Sequence, residues 1–156
     1  MTWRLLHLLG LFWMMAGLGA VMVPVWRAWR LRDDEVETRA ILLTEAQQAE
    51  TRWLLPGLLA AALTGFAWAA DADIDPVGTG WLMALEAVFL IDAFIFVPLM
   101  GVGLRRVRLL ALQARKRGGT TDELRAAIAD NVPVVFGTLI VASVPLMVWL
   151  AVFKPF

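Results

Sequence analysis

Three ionisable side chains stand inside otherwise apolar stretches of this chain: His7, Glu86 and Asp92. A charge at the centre of a bilayer costs about 2.5–3.5 kcal/mol even on the lenient insertion scale, so each of the three marks a place where a polar group is kept for a reason. His7 falls just inside the end of the first apolar stretch, at the depth expected for Met83 and Glu86 near the start of the third. An imidazole nitrogen and a thioether at one depth are the donors of an axially ligated haem iron, with His7 the axial nitrogen and Met83 its partner. The same placement also allows a His7–Glu86 hydrogen-bonded pair that joins two helices without a cofactor. Asp92 lies near mid-bilayer, about 16 Å below Trp81 and about 120° around the helix from Glu86. The two carboxyls therefore do not share a face. A proton path through both is one reading, and a protonated or hydrogen-bonded Asp92 turned toward the bundle or a partner is the other. No metal-ligand cluster is expected, because His7 is the single histidine and the chain has no cysteine. There is also no glycine-rich phosphate loop, no Ser/His/Asp grouping, no His-Glu-x-x-His and no internal repeat. No catalytic residue is therefore assigned.

The elements that must hold these groups are four apolar stretches at residues 5–26, 53–70, 81–104 and 132–153. Each is about 18–24 residues long, enough at 1.5 Å per residue to cross a hydrocarbon core of about 30 Å as a helix. The composition agrees: 60% of residues are hydrophobic and mean hydropathy is +0.72. The sequence predicts an all-α polytopic membrane protein, an antiparallel four-transmembrane-helix bundle forming one domain over residues 1–156. The first stretch imitates a signal peptide, with Arg4 before it and Gly17-Leu18-Gly19-Ala20 within it. Its apolar run continues to Trp26, too long for a signal h-region, and reads as an uncleaved first span.

Charge sorting sets the expected orientation. The connections 27–52 and 105–131 hold 12 of the 14 Lys/Arg, leaving only Arg4 and Lys154 elsewhere. The positive-inside rule puts both connections in the cytoplasm and both termini outside it, as in a multi-pass protein of the bacterial inner membrane. The connection 71–80 carries Asp71, Asp73 and Asp75 and no base. Trp3, Trp26, Trp53, Trp68, Trp81 and Trp149 fall near span ends, at headgroup depth.

Residues 33–50 read as an extension of helix one or a separate surface helix with Val36, Ala40 and Leu43 on one stripe. The basic run Arg105, Arg106, Arg108, Arg115, Lys116 and Arg117 reads as a continuation of helix three that meets anionic lipid or an acidic partner. Gly118-Gly119 then ends that helix, and a short helix follows over 122–130. Basic residues without a soluble fold do not argue for nucleic acid. Gly57, Ala61 and Gly65 in helix two are spaced by four, and Gly10 and Gly17 share a face of helix one. Such small-residue faces suit close helix packing, within the bundle or against another membrane subunit. Pro24, Pro56, Pro98, Pro133 and Pro145 predict kinks.

Leu6-His7-Leu8-Leu9-Gly10, then Trp13 and Ala16-Gly17-Leu18, resemble the first helix of a bacterial four-span family of predicted integral membrane proteins, domain of unknown function 2269. Pro56-Gly57 with Leu63-Thr64-Gly65, Gly80-Trp81-Leu82 and the ending from Val148 to Pro155 fit the same pattern over nearly the whole chain. That resemblance implies a membrane fold and no established activity. More distantly, the first-helix His and the Gly-Trp before helix three are similar to the copper-resistance D-type permease domain and the membrane protoporphyrinogen oxidase. The oxidase family's helix-three Lys has no counterpart in Met83-Ala84-Leu85-Glu86, so only His7 carries over. The expectation is a non-catalytic accessory or scaffold subunit without a cofactor, packed among membrane lipids against other subunits or itself. The alternative is a haem b or porphyrin protein using His7.

Overall fold

The computed structural model describes residues 2–75 and 77–155, and among them every regular element is helical. The chain runs α1 (Thr2–Arg30), α2 (Val36–Ala49), a π turn (Glu50–Leu54), α3 (Leu55–Asp71), α4 (Gly80–Ile91), a second π turn (Asp92–Phe96), α5 (Val97–Arg117), α6 (Asp122–Ala129) and α7 (Val132–Phe153). Four helical stretches are long and apolar enough to cross a membrane: Thr2–Arg30, Val36–Asp71, Gly80–Arg117 and Asp122–Phe153.

The second of these departs from the sequence expectation. Residues 33–50 do not extend α1. They reverse at Asp33-Asp34, and α2 then runs without interruption through the π turn into α3. The expected stripe of Val36, Ala40 and Leu43 is buried, together with Leu42 and Ala46, while Glu37, Thr38, Glu45 and Gln48 are exposed. A 36-residue helix is about 54 Å long, well beyond the hydrocarbon thickness, so α2 stands outside the apolar slab as the stem of α3.

Two prolines explain the two π turns. A proline inside a helix lacks an N–H and its ring collides with the carbonyl four residues back. One wider turn of i→i+5 geometry takes the helix past that obstruction. Pro56 follows the turn Glu50–Leu54 and Pro98 follows Asp92–Phe96. Pro24 and Pro145 lie inside α1 and α7, and Pro133 sits in the first turn of α7.

The contact between α1 and α3 is made by backbone. A Cβ on Gly17 would lie 2.6 Å from the Leu54 amide nitrogen, one on Gly57 2.7 Å from Met14 Cα, and one on Gly10 3.0 Å from the Ala61 nitrogen. The first two approaches leave no room for a methyl and the third admits one only if the backbone shifts, which is how helices in lipid gain dispersion contact without a hydrophobic drive between them. Gly19, on the other face of α1, has nothing within 4 Å.

Packing is uneven along the bundle. Met22, Val25, Leu43, Leu54, Met100, Leu104 and Val107 are completely enclosed, and all belong to the half nearer the arginine-rich connections. In the half nearer the termini, α4 has no buried residue and α3 buries only Gly57 and Ala61. Exposed side chains there are large and apolar, such as Phe12, Leu63, Phe66 and Phe94, as lipid contact requires.

The arginine-rich end is closed by polar clamps. The buried Arg39 donates from Nε to the Ala28 carbonyl (3.2 Å) and from a terminal nitrogen to those of Leu31 (2.7 Å) and Arg32 (3.3 Å). It thereby serves carbonyls that α1 leaves open at its C-terminus. Gly118 ends α5 in the left-handed region (φ 75°), and Thr121 caps α6 by accepting the Leu124 N–H. The Trp29 indole donates to the Ile128 carbonyl and to Asn131 Oδ1, and Arg125 pairs with Asp33 at 2.9 Å, holding α6 against the α1–α2 corner.

Gly17→Ala forces α1 and α3 apart and costs about 1–3 kcal/mol, whereas Gly19→Ala stays within about 0.5 kcal/mol. Denaturation of the purified protein followed by circular dichroism measures both. Equal losses in the two variants contradict the backbone contact described above.

Candidate functional site: a cleft at the terminal end with two buried carboxyls below it

The sparse half of the bundle leaves a cleft of about 590 Å³ between the α1/α3 pair and the α4/α7 pair. Its walls are apolar and aromatic, including Leu11, Met14, Phe66, Phe89 and Met147. Its polar groups are few: His7 and Glu86 from facing helices, with Arg4 and Lys154 at the termini. The Lys154 ammonium lies 5.0 Å from the centroid of Trp81, a cation–π contact that holds the end of α7 over the start of α4. A concave apolar space with a small set of converging polar groups is the usual form of a ligand site in a helical bundle.

His7 is held by α3. Its Nδ1 is 3.0 Å from the Ala61 carbonyl and 3.4 Å from Thr64 Oγ1, and its ring tilts against Trp68 at a centroid separation of 5.7 Å. The carbonyl can only accept, so Nδ1 carries the proton and a neutral ring keeps its lone pair on Nε2. Gly65 makes the seat: a Cβ there would lie 3.0 Å from His7 Cε1. The third member of the Gly57-Ala61-Gly65 series therefore receives a side chain, where Gly57 receives a backbone.

The expected His7–Glu86 pair is a correction. Both residues line the cleft, but the His7 nitrogen bonds within the α1/α3 pair, and among the described residues Glu86 has no hydrogen-bond or ion-pair partner. The expected His7–Met83 layer is not assembled either. Met83 is 53% exposed and lies outside the cleft lining. The thioethers that share the cleft with His7 are Met14, Met15 and Met147. His7 Nε2 is thus the one nitrogen in the cleft suited to a metal centre, and among the described residues no three His, Asp or Glu side chains gather to hold a metal ion.

Asp92 is 3% exposed and faces α7, where Ser143 Oγ meets its Oδ2. That hydroxyl also lies 2.8 Å from the Ile140 carbonyl. The Ser143 hydroxyl is shared between the two acceptors, as in a three-centre hydrogen bond. Oδ1 has no partner. A second buried carboxyl, Glu50, was missed when residues 27–52 were read as an aqueous connection. It is 2% exposed, lies against Gly101 of α5, and leaves Oε2 unpartnered. The signal was available in its spacing, since Glu50 continues the stripe of Leu43, Ala46 and Leu54. Glu50 and Asp92 each open a π turn and each precede a proline by six residues.

The basic run on α5 is divided. Arg106 pairs with Asp130 at 3.1 Å and Arg115 with Glu37 at 2.8 Å, while Arg108 donates to Gln47 Oε1 at 2.6 Å. Arg105, Lys116 and Arg117 are exposed. Glu86 and Asp92 remain on different faces: the first meets the cleft, the second meets α7.

Asp92→Asn keeps the volume and a donor for Ser143 and changes stability by less than about 1 kcal/mol, while Asp92→Ala loses the bond and opens a void, at about 1–3 kcal/mol. Chemical denaturation in mild detergent compares the two; an Asn variant as unstable as Ala contradicts a stabilising Asp92–Ser143 contact.

Residues 1–155 match a family model described as "predicted integral membrane protein (DUF2269)". No curated protein and no solved structure matches the chain.

Proposed function

The chain belongs to the DUF2269 family of predicted integral membrane proteins, and from that premise we propose that it is a non-catalytic accessory or scaffold subunit of a larger complex in the bacterial inner membrane. In this reading the arginine-rich end faces the cytoplasm and both termini face outward. The observation that supports it is the open half of the bundle. Natural helical interiors are packed to crystal-like density, yet α4 buries nothing, and the chain's own side chains leave the space between α1/α3 and α4/α7 unfilled. A transmembrane helix of a partner, entering beside α4, completes that packing. The polar groups present are too few and too dispersed to make a catalytic set, which accords with a packing role.

A photo-reactive amino acid placed at Phe94, 74% exposed on the second π turn, cross-links one discrete partner protein in native membranes. The same probe at the enclosed Leu104 gives no adduct. Lipid adducts alone from Phe94 overturn the accessory-subunit reading.

One observation favours a second reading, a haem- or porphyrin-binding protein. Donation of Nδ1–H to a backbone carbonyl is how a ligating imidazole is oriented, and it leaves His7 Nε2 available in the cleft. His7 Nε2 would hold such a group, the apolar wall would enclose it, and Arg4 and Lys154 of the same lining would meet its acidic substituents. A bound haem would supply one-electron chemistry; the chain's part is to orient the ring nitrogen and exclude water. The oxidised and dithionite-reduced absorption spectra decide it: a Soret band that shifts on reduction and is lost in His7→Ala supports haem, and a spectrum of tryptophan alone removes it.

A further inference from the structure

A second, smaller pocket of about 280 Å³ lies between α2 and α5, far from the cleft and near the arginine-rich end. Thr44, Gln47 and Gln48 of α2, Thr51 and Arg52 of the first π turn, and Arg108 of α5 form its lining. Every one of these side chains is polar, none is acidic, and two are permanently cationic. The donors are unspent. Arg108 gives one terminal nitrogen to Gln47 Oε1 at 2.6 Å, which leaves the Gln47 amide hydrogens free, and its buried Nε has no partner. Arg52 is exposed and has no hydrogen-bond or ion-pair partner among the described residues. The Thr44 and Thr51 hydroxyls already donate to the Ala40 and Gln47 carbonyls. The two carboxylates nearest in sequence, Glu45 and Glu50, do not enter the lining, Glu50 lying against Gly101, and Glu37 is paired with Arg115. Two guanidinium forks with amide donors and no counter-charge suit a tetrahedral oxyanion, which Arg binds through paired N–H bonds.

Depth identifies the source of that oxyanion. Trp53, directly after Arg52 on the way into α3, is 55% exposed. The pocket thus sits where an apolar outward surface gives way to a polar one, the level of lipid phosphates. We propose that this pocket binds the headgroup phosphate of one anionic phospholipid, with Arg52 and Arg108 as the two arms of the clamp and the acyl chains running down past Trp53. Basic pockets between helices on this side of a membrane take anionic headgroups by the same electrostatics.

The test is native mass spectrometry of the full chain in mild detergent, titrated with phosphatidylglycerol, with phosphatidylcholine and with inorganic phosphate. The expected result is one phosphatidylglycerol bound with a Kd at least ten-fold tighter than phosphatidylcholine. Its affinity falls at least ten-fold in Arg52→Gln/Arg108→Gln and less than two-fold in Lys116→Gln/Arg117→Gln, which removes equal charge elsewhere on the same end. Arg52→Gln alone, at an exposed and unpaired position, weakens binding at least three-fold with an unchanged melting temperature, so a folding defect in the double variant does not decide the matter. Equal weakening in the two double variants, or none in either, overturns the site. Inorganic phosphate that displaces the lipid at equal concentration overturns the lipid assignment.

Discussion

The bundle depends on the approach of two backbones. Gly17 lets α1 meet Leu54, and Gly57 lets α3 meet Met14, at separations no side chain permits. In lipid the surrounding solvent is as apolar as the helices, so association rests on close van der Waals contact, and glycine is the residue that maximises it. With α1 and α3 pressed together, α2 is carried up against the end of α1, where the Arg39 guanidinium reaches the last carbonyls of that helix. The arginine-rich half then fills with Met22, Leu43, Met100 and Leu104 from α1, α2 and α5. The opposite half has no such closure, and the cleft beside His7 follows from its absence.

Two buried carboxyls occupy equivalent places in two different helices. Glu50 and Asp92 each begin a wide turn, and each has one oxygen without a partner. Wide turns recur at functional positions because they open a helix ladder and re-aim side chains. Here each is required by a proline six residues on, and each carboxyl is turned onto a neighbouring helix: Glu50 onto Gly101 of α5, Asp92 onto Ser143 of α7. The apolar packing between α7 and the second π turn is thereby interrupted by one polar contact with a defined partner, Asp92 with Ser143, which fixes register where greasy surfaces would slide.

Much of this architecture is legible in the sequence, and the reasons differ by element. Four spans are read from hydropathy because nothing else in a chain looks like 18 consecutive apolar residues. The end of α5 at Gly118 and the start of α6 are read from local chemistry, since a left-handed residue and a capping hydroxyl are needed whatever surrounds them. The attachment of α2 to α3 was not legible: the polar stretch 33–50 joins equally well to either neighbour, and only the reversal at Asp33-Asp34 decides. In the site, the depth of His7 is set by its place in the helix, but its partner is not. Ala61 offers a carbonyl, which no composition signals, and it displaces the carboxyl of Glu86 that spacing alone suggested. Met83 was misassigned because depth was matched without rotation: it lies three residues before Glu86, yet points out of the cleft. Glu50 hid in plain sight, an acid on an apolar stripe within a stretch taken to be aqueous.

A wide turn adds one residue to a helix without adding a turn, so everything after it is rotated by about 100° relative to an uninterrupted helix. In the helix Val36–Asp71 the turn at Glu50–Leu54 stands between the stripe that faces α1 and α5 and the glycines that face α1. It works as a phase shifter, setting the rotation of Gly57, Ala61 and Gly65 relative to Leu43 and Ala46. An insertion or deletion of one residue in that segment is consequently read by the bundle as a rotation and not as a change in length. The tolerance of the protein to such events is decided by angle.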